Sequence, residues 1–386
     1  MNAPLFKDPI RSSMSSAQDP QLAAFELAAE LNDSELGFVL FFCSAEYNLQ
    51  ALSVALTTAF PGVRLAGCTT AGELTPRGYD QGTVTAIGFD RNLFSIEVGL
   101  VEALDQFTLT EAQSLIDALV AGCQQRRVAP IKGHTFALTL LDGLSSQEEL
   151  VLLTLDSVLG SIPHFGGSAG DDIHLTGTHV YYDGEFRTRA AVVIMVNTPL
   201  DFEVFTTHHM RSLEQKLVVT QADPATRTVY ELNAEPAAIE YARQLGLNPE
   251  ELDYRVFALN PLAVRIGQEY YVRSIQKVNP DMSLTFYCAV ENGIVLTAMQ
   301  PEAMLPNLAQ RFEAIEQTLG KPLITIGCDC FLRRLEAEYT EHTQETSEFL
   351  VDHNVIGFNT YGEQFDGMHL NQTFTGVVIG RTANEF

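Results

Sequence analysis

Short apolar runs alternate along this chain with helix-length stretches whose apolar positions recur every three or four residues. Residues 37–43 are the first such run, and after them Leu49, Leu52, Val54, Leu56 and Phe60 have the spacing of a helix packed on a sheet. The layout then recurs. Residues 135–141 are a second apolar run, followed by Ser145 and Glu148 at capping-box spacing and by Gly160 as a stop. Residues 322–327 are a third, followed by a more polar helical stretch over about 331–351. In each unit a second strand leads into a glycine-rich turn: 63–66, 162–165 and 355–357. Each unit closes on a hairpin or extended strand: 82–88 with 93–99, 178–183 with 190–196, and 371–379. Tyr182-Asp183-Gly184-Glu185 carries the hairpin signal of the second.

Between the second and third units the pattern turns β-rich. Strands are predicted over 217–220 and 228–232 around Asp223-Pro224, 262–266 and 270–275 around Gly267, and 284–290 and 294–299 around Asn292-Gly293. Helices are expected over about 236–245 and from Pro306 to a stop at Gly320, the latter with Leu308, Phe312, Ile315 and Leu319 on one face. Mixed sheets covered by helices make the fold class α+β. The expected division is a loose arm over 1–18, a first domain over 19–200 and a second over 201–386, packed tightly because no low-complexity linker separates them.

The turns repeat in sequence as well as in pattern. Gly67-Cys68-Thr69-Thr70-Ala71-Gly72-Glu73 returns as Gly357-Phe358-Asn359-Thr360-Tyr361-Gly362-Glu363, with glycines, Thr70/Thr360 and the acid each 290 positions apart. The same offset of 290 carries Thr83 to Thr373 and Thr85 to Thr375. Gly166-Gly167-Ser168-Ala169-Gly170-Asp171 is a looser third copy. Glycines permit positive φ and close backbone approach. A Gly-x-x-Thr-x-Gly-Glu turn therefore serves either as scaffold, its acid bonding nearby amides, or as the lining of a ligand site. In the second case Thr70, Glu73, Ser168, Asp171, Thr360 and Glu363 would line it.

Composition narrows the function classes. The 386 residues carry a formal charge of −26, which repels phosphate backbones and anionic lipid and argues against nucleic acid or a membrane surface as partner. It suits a basic protein partner. No apolar run reaches the roughly 18 residues of a membrane span, and residues 1–20 lack the apolar core of a signal peptide, so a cytoplasmic protein is expected. The six cysteines are scattered in apolar runs, as reduced buried thiols would be, and Cys328-Asp329-Cys330 has no second pair to complete a zinc site.

Few residues offer catalysis. Gly166-Gly167-Ser168-Ala169-Gly170 matches G-x-S-x-G, but a nucleophile elbow needs a helix directly after the serine, and Asp171-Asp172-Ile173-His174 leads into a hairpin. No enzyme activity is expected. The nine histidines form no HExxH, and no CxxCH motif exists for covalent haem. A non-covalent haem needs one axial ligand and an apolar slot. His369, six positions after Glu363, is closest to the repeated turn; its ordinary reading is a strand-edge histidine bonded to a carbonyl. Arg333-Arg334 have the forks to hold a carboxylate or propionate, or to pair with Glu336 or Glu338.

The three turns, with Leu217-Val-Val-Thr220, Arg265-Ile-Gly267, Tyr271-Val-Arg-Ser-Ile-Gln-Lys277, Leu284-Thr-Phe-Tyr-Cys288, Gly327-Cys-Asp-Cys-Phe-Leu-Arg-Arg-Leu-Glu336 and Met368-His-Leu-Asn-Gln-Thr-Phe-Thr-Gly376, resemble the signatures of FIST-domain sensory proteins over about residues 19–381. They look most like the stand-alone bacterial subgroup that senses nitric oxide through haem, NosP. The resemblance implies a cytoplasmic b-type haem protein. On binding nitric oxide it would modulate a histidine kinase or a cyclic-di-GMP enzyme (diguanylate cyclase or phosphodiesterase) and so biofilm behaviour, with homo-oligomers left open. It makes His369 the first candidate for axial ligand, with His209 and His164 as alternatives and Arg333 or Arg334 at a propionate. FIST domains outside that subgroup imply the alternative: a haem-free receptor for a small ligand such as an amino acid.

Overall fold

The structure, a computed structural model, describes residues 8–381. Three six-stranded sheets share one strand order and stand around a common core. The first runs Ile10–Ser15, Val84–Asp90, Leu36–Ser44, Arg64–Thr70, Val180–Tyr182, Glu185–Arg187. The second runs Ser95–Val101, Ala191–Asn197, Thr135–Leu141, His164–Ser168, Glu363–Phe365, Met368–Leu370. The third runs Phe202–Thr207, Phe374–Ile379, Ile324–Cys330, Val355–Thr360, Glu73–Thr75, Gly78–Asp80. In each, the third and fourth strands are the parallel pair that flanks a crossover helix, and the other neighbours are antiparallel.

The last two strands of every sheet come from a different unit. The turn after Arg64–Thr70 sends Glu73–Thr75 to the third sheet, the turn after Val355–Thr360 sends Glu363–Phe365 to the second, and the loop after His164–Ser168 returns Val180–Tyr182 to the first. The exchange is cyclic, so no unit closes its sheet alone and the two halves of the chain are inseparable. Apolar residues of all three sheets meet in the middle, where Phe42 and Phe358 stack with ring centroids 4.6 Å apart. Helices Pro20–Leu31 and Leu49–Ala59 cover the first sheet, Leu109–Arg126 and Glu148–Leu159 the second, and Met304–Leu319 with Phe331–Tyr339 and Thr343–Asp352 the third.

A fourth, antiparallel assembly lies between Met210 and Pro301 and has its own core around Leu217, Tyr241, Phe257 and Phe286. It caps the end of the ring where the turns converge. Tyr287 of the cap packs on Tyr361 and Phe331 of the ring, and Gln372 donates from the ring to the Ala258 carbonyl at 3.0 Å. The α+β expectation and the triple repeat match this architecture. The boundary expected at 200/201 falls where the chain leaves Ala191–Asn197 of the second sheet for Phe202–Thr207 of the third.

Several local expectations are corrected. Residues 1–7 of the expected loose arm lie outside the described residues, but Ile10–Ser15 is an edge strand on Val84–Asp90. Strands 84–90 and 95–101 do not pair with each other; they enter different sheets that pack face to face. Val180–Tyr182 does turn at Asp183-Gly184, but onto Glu185–Arg187, while Ala191–Asn197 crosses to the second sheet. Ser145 and Glu148 form no capping box, because the Glu148 carboxylate is taken by Arg227 at 2.5 Å; Gly160 does end that helix. The polar third helix is two helices. In the cap, the strands on either side of Asn292-Gly293, Leu284–Phe286 and Val295–Pro301, bind other strands rather than each other.

Candidate functional site

Three glycines explain why the turns begin as they do. A Cβ on Gly67 would sit 2.2 Å from the Phe41 carbonyl oxygen, on Gly166 2.1 Å from that of Thr139, and on Gly357 1.8 Å from that of Gly327. Each faces the neighbouring parallel strand at an equivalent register, Phe41↔Gly67, Thr139↔Gly166 and Gly327↔Gly357. Only a residue without a side chain fits there.

The acids that end two of the turns are staples. Glu73 accepts the Thr70 hydroxyl on one oxygen, and on the other the backbone N–H and hydroxyl of Thr83 at 3.1 and 2.8 Å. Glu363 accepts Thr360 and Thr373 in the same way, the latter at 3.0 and 2.9 Å. Burial raises both carboxyls to about 7, with the threonine hydrogen bonds pulling the other way. The third copy uses a different device. Asp171 accepts the N–H groups of Leu175, Thr176 and Gly177 at 2.9, 2.6 and 2.9 Å and the hydroxyl of Tyr361. Burial opposes its charge, but those bonds win and hold it below the ordinary aspartate range. Ser168 is buried among the turns with an unpartnered hydroxyl, without a histidine bonded to it.

The turns dock on one another. Ala71 N–H donates to the Asn359 carbonyl at 2.9 Å, Asn359 N–H to Gly72 at 2.8 Å, Ser168 N–H to Gly362 at 2.8 Å and Gly170 N–H to Thr69 at 3.0 Å. Beside the first turn a cavity of about 430 Å³ opens to solvent. Thr70 and Glu73 form its floor, Asp171 and Asp172 one wall, and Ser44, Glu46 and Gln81 the other. His174 and Thr176 stand at its exposed mouth. Among the described residues, four acids and no lysine or arginine line it; Glu73 and Asp171 are held by their hydrogen bonds and Asp172 by Arg334, while Glu46 is exposed. Of the predicted lining, Thr70, Glu73 and Asp171 are brought together here; Ser168, Thr360 and Glu363 are not, being enclosed at the second and third turns. Ser44, Glu46, Gln81 and Asp172 come from separate loops, and no sequence motif joins them.

The two arginines are both in internal ion pairs. Arg333 is buried, donating from Nε to Asp329 at 2.6 Å and from a terminal nitrogen to His209 Nδ1 at 2.7 Å. An arginine only donates, so Nδ1 accepts and His209 carries its proton on Nε2, which donates to Glu336 at 2.8 Å. Burial holds His209 below the usual histidine range, the Glu336 bond working against it. Arg334 reaches the Ala71 carbonyl at 3.1 Å, Asp172 at 2.8 Å and Glu338 at 2.5 Å, fixing the cavity wall from behind. The terminal nitrogens of Arg334 are taken by these internal partners, and its buried Nε is without one.

His164 is buried in its strand, with Nε2 on the Thr139 hydroxyl at 2.6 Å, and burial lowers it to about 4. His369 lies on Met368–Leu370, where Nδ1 faces Glu149 at 3.3 Å and the Cys288 sulfur at 3.6 Å. Burial disfavours its charge, but Cys288 and Glu149 outweigh that and raise it to about 10. Nε2 has no partner and abuts Gly362, whose added Cβ would come within 1.9 Å.

A model of the FIST N domain matches residues 37–235, and one of the FIST C domain matches residues 237–366. The chain belongs to the FIST family. The FIST N match covers the first two units and runs into the cap; the FIST C match covers most of the cap and the third unit through its turn. No curated protein matches the chain. FIST domains are sensory signal-transduction domains that bind small ligands, and this FIST protein is such a sensor. Among the described residues, no helix is long and apolar enough to cross a membrane.

Proposed function

We propose that this FIST protein is a receptor for a small molecule bearing an ammonium group, such as an amino acid or an amine, held in the cavity beside the first turn. The observation that carries this reading is one solvent-reached cavity of ligand size with an acidic lining, into which Glu46 and Asp172 come from separate loops. The ammonium would face Glu46 and Asp172, and the loop 171–177, wound around Asp171, would register its arrival. That loop touches the third unit through Tyr361 and Arg334, so a ligand there acts on the junction of all three turns. The output would pass to a histidine kinase or a cyclic-di-GMP enzyme in the cytoplasm, a compartment that keeps buried thiols such as these six reduced. The test is a thermal-shift screen of amino acids and amines on the full chain and on Asp172→Asn. A stabilising ligand whose effect falls at least tenfold in apparent affinity in the variant is expected; no stabilisation by any cationic ligand would overturn the reading.

A second reading, haem and nitric oxide sensing, has one observation in its favour: the buried, unpartnered Nε2 of His369. As packed, the residues do not fit a porphyrin there. Gly362 lies against Nε2, Nδ1 faces Glu149 and Cys288, and the surroundings are charged rather than apolar. His209 has both nitrogens engaged, and Arg333 and Arg334 are paired internally. No step of the proposed mechanism runs through haem.

A further inference from the structure

We propose that Glu149, Cys288 and His369 form a binding site for a thiophilic divalent cation of the zinc class, which staples the cap to the ring. Glu149 stands in the first turn of helix Glu148–Leu159 of the second unit, Cys288 follows strand Leu284–Phe286 of the cap, and His369 lies on the exchanged strand Met368–Leu370 of the third unit. One cation would thus join three elements that otherwise meet by packing, hydrogen bonds and the ion pairs of Glu149 with His369 and Arg227.

The geometry is that of a metal site. The Glu149 Oε1, Cys288 Sγ and His369 Nδ1 atoms all lie within 4.8 Å of one another. A tetrahedral zinc with ligands at about 2.0–2.3 Å places its donors about 3.3–3.8 Å apart. The Glu149–His369 separation is 3.3 Å and the Cys288–His369 separation 3.6 Å. One sulfur, one imidazole nitrogen and one carboxylate oxygen are a donor set zinc takes and calcium or magnesium does not. Asn371 Oδ1, 3.1 Å from the sulfur, is at hand on a fourth side.

The surroundings orient the donors. Arg227 binds the far oxygen of Glu149 at 2.5 Å and is itself balanced by Glu148, also at 2.5 Å. The Ala289 N–H fixes Oε1 from the cap at 2.8 Å. Such outer partners aim ligands at a metal. Binding would expel one proton from the Cys288 thiol and one from His369 Nδ1, while the cation adds two positive charges, so the cluster stays neutral overall. Cys288 and His369 are buried and Glu149 is half-buried, which leaves the carboxylate side as the way in.

The site is distinct from the ligand cavity, and its test is independent of that reading. The full chain, stripped with chelator and kept reduced, is titrated with Co²⁺. A thiolate-to-cobalt charge-transfer band saturating at one equivalent and displaced by Zn²⁺ is expected. Because all six cysteines are buried, such a band in the wild-type chain requires a built site. Cys288→Ser should abolish the band, Glu149→Gln should weaken cobalt binding about tenfold or more, and Cys123→Ser should leave it intact. No band in the wild type, or a band that survives in a folded Cys288→Ser, would overturn the proposal and leave an ion pair between His369 and Glu149.

Discussion

Glu363 holds Thr373 by both its backbone N–H and its hydroxyl, at 3.0 and 2.9 Å, across ten residues of turn. Glu73 holds Thr83 in the same manner at the first turn. Both carboxyls are raised to about 7, above the ordinary 4.5, so the folded chain binds their protons more tightly than the unfolded chain does. Stability from these two groups is then fully present below about pH 4.5 and is lost as pH rises toward 7. Glutamine mimics the protonated form: its amide donates to the threonine before it and its carbonyl accepts from the threonine after it. Glu73→Gln and Glu363→Gln should fold. Each should flatten the fall in stability between pH 5 and 7 and gain on the order of 1–3 kcal/mol relative to wild type at pH 8. Urea midpoints measured against pH check this; an unchanged slope in both variants would show that the acids are ionised in the fold.

The glycines at the parallel strand pairs are predicted to be the least replaceable positions of the repeat. Gly67→Ala, Gly166→Ala and Gly357→Ala each force a methyl against a backbone carbonyl at about 2 Å, and a backbone cannot step aside as a side chain can. Losses of more than about 4 kcal/mol, or no soluble protein, are expected. Gly177→Ala is the control, since the nearest atom to its added Cβ is a side-chain carbon 3.7 Å away. Denaturation midpoints of the four variants decide the point.

Much of this scaffold was legible in the sequence, and the reason is steric. The constant offset between Gly67 and Gly357, or Thr83 and Thr373, reflects one backbone problem solved the same way at two places. Strand exchange was not legible. Alternation shows which face a residue takes but not which strand lies beside it, so 82–88 and 93–99 read as a hairpin or extended strand although the strands there belong to different sheets. The site was legible in part. Thr70, Glu73 and Asp171 carry the repeat signal, whereas Asp172 and Glu46 gain meaning only when the turns dock. The neighbours of His369 are beyond any local pattern: Cys288 lies 81 positions away and Glu149 220.

His369→Ala discriminates between the roles offered to that residue. If the chain takes up haem on reconstitution, the packing of Nε2 on Gly362 means that uptake does not depend on this imidazole. The variant should match wild type in Soret position and haem content. It should also lose a pH-dependent contribution to stability. In the chelator-stripped chain, with the folded pKa raised from 6.5 to about 10, the ion pair stabilises fully below about pH 6.5 and its contribution disappears as pH rises through 10. The wild-type minus variant difference in urea midpoint should therefore shrink between pH 7 and 10. A Soret band lost or shifted in the variant would instead make His369 an axial ligand and require the strand to open.

The buried chain Tyr79, Asp329, Arg333, His209 and Glu336 joins four elements, and Arg333 is its only fixed positive charge. Burial raises the Asp329 carboxyl, and the Arg333 charge beside it opposes that shift. Arg333→Met therefore leaves an acid enclosed without its cation, and removes the donor that fixes the His209 tautomer. The expected cost is about 3–5 kcal/mol, read from the urea midpoint at neutral pH. Converting Asp329 to asparagine in the same chain removes the stranded charge, so the double variant Asp329→Asn/Arg333→Met should recover part of that loss. A double variant no better than the sum of its single changes would mean that the two side chains act through packing, with little electrostatic coupling between them.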